Sequence, residues 1–286
     1  MKSFQLIHLI GTPTRQSVAQ FLAVLALVAS CTLSAFAQAT PKPTPAAAPN
    51  PEEINEARQL LGALGFWVIF AEEKADGHSE QNKKIDASLR HALVAFQKLS
   101  DRPRTGTLTH EELQALRSAK RPTTLESGYA HIEVDLVHQV LLVVENCDGC
   151  LRILPISSGS GAWFTEGGKT RRAVTPTGRF QIQRKIAGWR KSPLGLLYYP
   201  NYIYGGIAIH GNPSVPPQPA SHGCIRIPMF ASKAFADIAI IGLSVIVHDG
   251  TLPTEKPALS VTQIPAYGYN QSGMSNFKLK FTTNAH

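Results

Sequence analysis

The sequence predicts an α+β protein of two domains: a small three-helix N-terminal module, then a β-rich domain that is sandwich- or barrel-like. Two observations carry this. From Glu52 to Ala119 the apolar residues recur at helical spacing. After Lys120-Arg121-Pro122 they shift to alternating and β-branched runs, punctuated by glycine and proline.

The first residues carry a leader pattern. Lys2 and Arg15 give a positive start, and Phe21 to Val28 is a short apolar run. That run falls well below the roughly 18 residues of a membrane span. Ala35-Phe36-Ala37 fits a small-x-small cleavage site, so residues 1–37 read as a signal peptide and the mature chain as exported to periplasm or cell wall. Val28-Ala29-Ser30-Cys31 offers an alternative, a lipobox-like site where lipidation of Cys31 would anchor the chain. Residues 38–51 are rich in Ala, Pro and Thr and read as an extended linker.

Residues 52–119 form the helical module. Ile54, Ala57, Leu60 and Leu61 share one face, and Gly62 and Gly65 end the run. Ile85 to Leu99 repeats the pattern with Leu89, Leu93, Phe96 and Leu99. Thr109 caps a third helix whose first turn is acidic, with Leu113 and Leu116 facing inward.

The β-rich domain follows. Ala130 to Val144 alternates and then becomes continuously apolar, as strand. Asn146 to Cys150 is a turn, and Leu151 to Ile156 the return strand. Ser157 to Arg172 is glycine-rich and reads as loop. Thr175-Pro176-Thr177-Gly178 is a turn into the strand Arg179 to Ile182. Ile203 to His210 reads as one strand, Pro228 to Ile238 as a helix with proline in its first turn, and Ser244 to His248 as a last strand. Residues 250–286 have few apolar runs and no assignable element.

Composition narrows function. The chain carries a formal net charge of +8. An exported basic protein suits an anionic polymer or surface. Nucleic acid is disfavoured by the export signal and by the lack of a dense Arg/Lys run interleaved with aromatics. Of the four cysteines, Cys31 leaves with the signal unless lipidated. An oxidising compartment lets Cys147 and Cys150 pair across a tight turn, which leaves Cys224 as the unpaired thiol. A zinc site from Cys147, Cys150, His222 and Cys224 is the competing use of these residues.

The chemistry concentrates in Ser221-His222-Gly223-Cys224-Ile225-Arg226, with His210-Gly211 upstream. A cysteine attacks a carbonyl as thiolate, and a histidine is the usual proton acceptor. If residues 221–226 are extended, His222 and Cys224 point to one side, roughly 6–7 Å apart. His210 ends another strand and can also reach Cys224, so spacing leaves the base open between the two. Gly223 allows close backbone approach, amides near Cys224 can form an oxyanion pocket, and Arg226 can clamp a carboxylate.

His210-Gly211 with Ser221 to Arg226, preceded by Ser157-Ser158-Gly159 and Thr175-Pro176-Thr177-Gly178-Arg179-Phe180, resembles the L,D-transpeptidase (YkuD) catalytic domain over residues 128–249. The resemblance implies Cys224 as nucleophile, His210 rather than His222 as proton donor and acceptor, and Gly211 as backbone orienter of its ring. It implies that Ser221, His222, Gly223 and Arg226 line the oxyanion and substrate region, with no cofactor and no metal. The implied reaction is cross-linking of peptidoglycan stem peptides through a Cys224 thioester with loss of D-Ala. Hydrolysis of the same thioester, and a non-catalytic wall-binding role, are the rival readings. Leu60 to Phe66, Ala92 to Gln97, Thr105 to Thr109 and Leu113 resemble the peptidoglycan-binding-like three-helix domain, which implies glycan as a second partner. The segment Val68 to Lys84 is longer here than that family's compact turn.

Overall fold

The computed structural model describes residues 48–71, 82–146, 150–251 and 253. The expected signal with its Cys31, most of the linker, Cys147, and nearly all of the C-terminal extension lie outside the described residues.

Three helices open the described chain: α1 (Pro51–Ala63), α2 (Ala87–Leu99) and α3 (His110–Ser118). Each begins where a side chain satisfies an otherwise unpaired amide. Asn50 forms a capping box with Glu53, Asp86 accepts from the Leu89 amide, and Thr109 accepts from the Glu112 amide. Their apolar faces meet in one cluster that includes Leu61, Leu89, Leu93, Phe96, Leu113 and Leu116.

The strands build two main sheets. In the first, β3 (Leu151–Pro155), β2 (Val140–Val144), β1 (His131–Asp135), β12 (Ser244–His248) and β6 (Gly178–Gln181) lie in that order. The pair β1–β12 is parallel and the other pairs are antiparallel. In the second, β11 (Ile225–Pro228), β10 (Ile207–Asn212), β9 (Gly195–Tyr204) and β7 (Arg184–Lys185) are neighbours, with β8 (Trp189–Ser192) also on β9. The two sheets share a core of Ile132, Leu141, Leu154, Ile209, Ile225 and Ile227, which α4 (Met229–Ile238) completes with Phe235. This is a sandwich arrangement, and no closed barrel forms among the described residues.

The continuous apolar run of β2 now has a cause. Leu141 and Val143 face the inter-sheet core, while Val140 and Leu142 face the helices. A strand covered on both faces cannot show alternation. The helical segment is therefore joined to the sheets through a common apolar cluster that contains Val140, Leu142 and Ile153. Backbone bonds add to it: Trp67 donates to the Ile153 carbonyl at 2.9 Å, and Ile153 donates to that of Gly65 at 2.8 Å.

Several expected elements differ. The run from Ala130 to Val144 is two strands, because Asp135 accepts from the amides of Val137 and His138 and Gln139 takes a positive φ of 58°. The stretch from Ile203 to His210 is likewise divided, by a turn at Gly205-Gly206 with φ +50° at Gly205. The expected loop Ser157 to Arg172 carries an exposed ribbon, β4 (Trp163–Glu166) paired with β5 (Lys169–Arg172). Pro228 sits at the cap position of α4 rather than inside its first turn.

Candidate active site

His210 lies on β10, and Cys224 is the residue immediately before β11. These strands are parallel neighbours, with Ile209 opposite Ile225 and His210 opposite Arg226. Ile209, Ile225 and Ile227 point into the inter-sheet core. By the period of two, His210, Cys224 and Arg226 belong to the opposite face. Cys224 packs there beside Ala208, Leu197 and Tyr202.

The ring of His210 is buried at 2% exposure, and its Nδ1 lies 2.9 Å from the Gly211 carbonyl oxygen. A carbonyl only accepts, so Nδ1 carries the proton and Nε2 presents a lone pair. Gly211 is required by space: a Cβ there would come within 2.1 Å of Ser232 Oγ and 3.1 Å of Tyr198 Cδ1.

Cys224 is a free thiol, its sulfur 3.7 Å from the Gly206 carbonyl oxygen. Burial pushes the thiol up, although a hydrogen bond from the Ala208 backbone and the positive charge of Arg226 act against it. Burial likewise holds His210 down to about 4, with Arg226 adding to the shift and the Gly211 bond opposing it. The resting pair is thus thiol and neutral imidazole, rather than thiolate and imidazolium. Arg226 is half-buried, and no hydrogen bond or ion pair engages its guanidinium among the described residues.

The loop before Cys224 is held from both sides. Ser221 Oγ donates to the Cys224 carbonyl at 2.5 Å and accepts from the Gly223 amide at 3.0 Å. Thr175 Oγ1 donates to the Gly223 carbonyl at 2.7 Å and accepts from the Gly159 amide at 2.9 Å. Gly223 has φ +130°, and a Cβ on it would lie 2.9 Å from Ile207 Cδ1 and 3.0 Å from the Val174 carbonyl oxygen. Its amide, given to Ser221, is not free to act as an oxyanion donor.

Ser221 forms only an isolated bridge to Gly159, residues 222–224 are bends rather than strand, and Gly223 lies outside the extended region. The expected alignment of His222 with Cys224 along one strand face is therefore absent. His222 is exposed and sits edge-on to Phe164 of the ribbon, with ring centroids 4.8 Å apart. Thr175 and Phe164 were not among the site residues expected from sequence. The turn motif around Thr175 was a signal for the first, and no sequence signal marked the second.

Cys150 is disulfide-bonded, so it has no thiolate to offer zinc. Cys147, its expected partner, lies outside the described residues. Among the described residues, no group of three or more His, Cys, Asp or Glu is placed to hold a metal ion. No helix among them is long and apolar enough to cross a membrane.

A half-buried thiol sharing a sheet face with a backbone-oriented imidazole is an arrangement that suits cysteine-dependent acyl transfer. The family model for the L,D-transpeptidase catalytic domain (YkuD) matches residues 129–247. Among solved structures, the L,D-transpeptidase of Xylanimonas cellulosilytica is 34% identical, with 73% of this chain and 99% of that chain covered and a TM-score of 0.59. The L,D-transpeptidase (Yku) of Stackebrandtia nassauensis is 20% identical over 72% of this chain and 94% of that chain, with a TM-score of 0.41. No curated protein matches. This chain belongs to the L,D-transpeptidase family.

Proposed function

We propose that the protein is an exported L,D-transpeptidase that cross-links peptidoglycan stem peptides through a thioester on Cys224. The observation that best supports this is the His210 ring: its Nδ1 is tied to the Gly211 carbonyl, which leaves Nε2 as a proton acceptor on the face that Cys224 shares. In the first half-reaction the Cys224 proton passes to His210 Nε2 as sulfur attacks the carbonyl of the third stem residue. The C–N bond to D-Ala breaks, and its amine takes the proton from His210. In the second, the amine of another stem attacks the thioester and gives its proton to His210. The C–S bond breaks and the proton returns to sulfur, so atoms and charge balance.

The surroundings fit these steps. Arg226 stabilises negative charge on sulfur and opposes a standing imidazolium, so proton transfer is coupled to attack rather than completed beforehand. Its unengaged guanidinium suits a stem-peptide carboxylate. With the Gly223 amide occupied, the Cys224 amide is the candidate donor for the oxyanion. The leader pattern supports export, and the helical segment offers a place for glycan. A cleft of about 480 Å³ between the helical segment and the β1–β2 turn is lined by Phe66, Phe96, Arg102, Asp135 and His138, among others.

Incubation with purified tetrapeptide muropeptides, followed by product mass analysis, tests the reading. Cross-linked dimer with release of D-Ala is expected. Tripeptide alone would assign the thioester to hydrolysis, and unchanged substrate would remove the catalytic reading altogether.

A further inference from the structure

Lys98 is a lysine with no exposed surface, near the end of α2 in the helical segment. Its Nζ donates to the Ile156 carbonyl at 2.8 Å and to the Gln139 carbonyl at 2.9 Å. An ammonium in such a place is costly, and an apolar side chain of similar volume would fill the space at lower cost. Burial, with the nearby charge of Arg104, depresses it to about 7.

What Lys98 holds leads straight to Cys224. Gln139 clasps Ser158 at both ends of its amide: Nε2 donates to Ser158 Oγ at 2.8 Å, and Oε1 accepts from the Ser158 amide at 2.9 Å. The strap that begins at Ser157, directly after Ile156, is bonded to the chain on both sides of the cysteine. Ser157 and Arg226 exchange two backbone bonds of 3.1 Å. The Ser158 carbonyl accepts from Ala220 and Ser221 at 3.0 and 2.9 Å, and the Ser160 amide donates to the Ser221 carbonyl at 2.9 Å. Ser157 Oγ also donates to the Gln218 carbonyl at 2.8 Å, inside the proline-rich loop between His210 and Cys224. A second tie from the helical segment reaches that loop, where Arg104 Nη1 approaches the Pro217 carbonyl at 3.5 Å.

We propose that the helical segment is a positioning part of the catalytic centre, with Lys98 anchoring the strap 157–160 that sets the placement of Ser221 and Cys224. This rests on the reading of Cys224 as the reactive thiol. It gives the segment a role that needs no glycan ligand, and it makes Lys98 a positioning residue that never touches substrate. Reacting atoms displaced by about 1 Å lose up to ~10²-fold in rate, so a slackened strap has a kinetic signature.

The test uses the full chain with Lys98→Met, which keeps the volume and removes the donors. The control is Leu93→Ala, which opens a cavity in the same helix without touching the strap. Each is checked for folding by circular dichroism at the assay temperature. The saturating rate of Cys224 acylation by a carbapenem and the concentration for half-saturation are then measured by intact mass. The expected result for Lys98→Met is a fall of roughly tenfold or more in the saturating rate, with half-saturation unchanged within about twofold. Leu93→Ala is expected to lower the melting temperature yet keep the wild-type rate. An unchanged rate in folded Lys98→Met, or an equal fall in Leu93→Ala, overturns the proposal. If Lys98→Met does not fold, Arg104→Ala takes its place: a fall of about threefold is expected, and no change overturns it. If the wild type is not acylated at all, the functional reading fails separately. Iodoacetamide alkylation of Cys224 then carries the test, with a change of at least about threefold expected in Lys98→Met and none in Leu93→Ala.

Discussion

One histidine stands near Cys224 in strand register and another in sequence, and their surroundings differ in every respect that matters to chemistry. His210 is on a strand, buried, with Nδ1 bonded to the next residue's carbonyl. His222 is on a bend, exposed, and rests against Phe164 of the ribbon. His222 stands two residues from the cysteine in sequence, and spacing alone leaves the base open. Register between parallel strands favours His210, fourteen residues away, because β10 and β11 put it on the Cys224 face. A base must be held in one tautomer and one orientation, and a strand with a committed ring nitrogen supplies both.

The comparison can be broken most severely at the thiol. Cys224→Ala is expected to abolish carbapenem adduct formation, read as the absence of a mass increase. A persistent adduct would move the nucleophile elsewhere. Gly211→Ala comes next, because its Cβ would collide with Ser232 Oγ at 2.1 Å. Overpacking of this kind costs about 1–3 kcal/mol. Urea unfolding should show that loss, and Ser232→Gly in the same chain should restore part of it.

Thr175→Val removes the hydroxyl that joins Gly159 to Gly223. Leaving buried polar groups unpaired costs about 1–3 kcal/mol. The expected outcome is a lower urea midpoint and slower acylation, with Thr175→Ser close to wild type. Equal damage in both variants would place the effect in packing rather than in the hydroxyl.

A smaller effect concerns pH. His210 and His91 are each held down to about 4, in both cases chiefly by burial, from an ordinary value near 6.5. Between those values the unfolded chain binds more protons than the folded one. Stability is therefore full above about 6.5 and declines as pH falls toward 4, by at most a few kcal/mol per group, on the order of 1.4 kcal/mol per pH unit. Urea midpoints measured from pH 7 to pH 4.5 should fall in wild type and fall less in His91→Gln.

Much of this architecture was legible in the residues. Thr109 announces the start of α3, while Asn50 falls in the stretch read as linker and Asp86 inside an expected helical run; the Cys/His constellation with its upstream turn points to the candidate site. What escaped reading was of two kinds. Short strands separated by tight turns merge in a hydrophobic pattern, as at Asp135 to Gln139 and at Gly205-Gly206. The exposed ribbon and the strands β7 and β8 lack a buried face continuous enough to alternate clearly. Buried charges were hidden as well. Nothing in the helical pattern marks Arg58 or Lys98 as core, yet both are fully buried. Arg58 donates to the carbonyls of Asn82, Ile69 and Lys84, and Lys98 to those of Gln139 and Ile156. Their acceptors are backbone groups far along the chain, and no local pattern encodes such partners.

The central claim is that His210, and not His222, exchanges the proton of Cys224. The most direct test is the time course of carbapenem acylation, followed by intact mass, for His210→Ala beside His222→Ala. Loss of a positioned general base costs about 10²–10⁴-fold. The account predicts a fall of that order for His210→Ala, with His222→Ala within a few-fold of wild type. A collapse in His222→Ala with acylation intact in His210→Ala would contradict it.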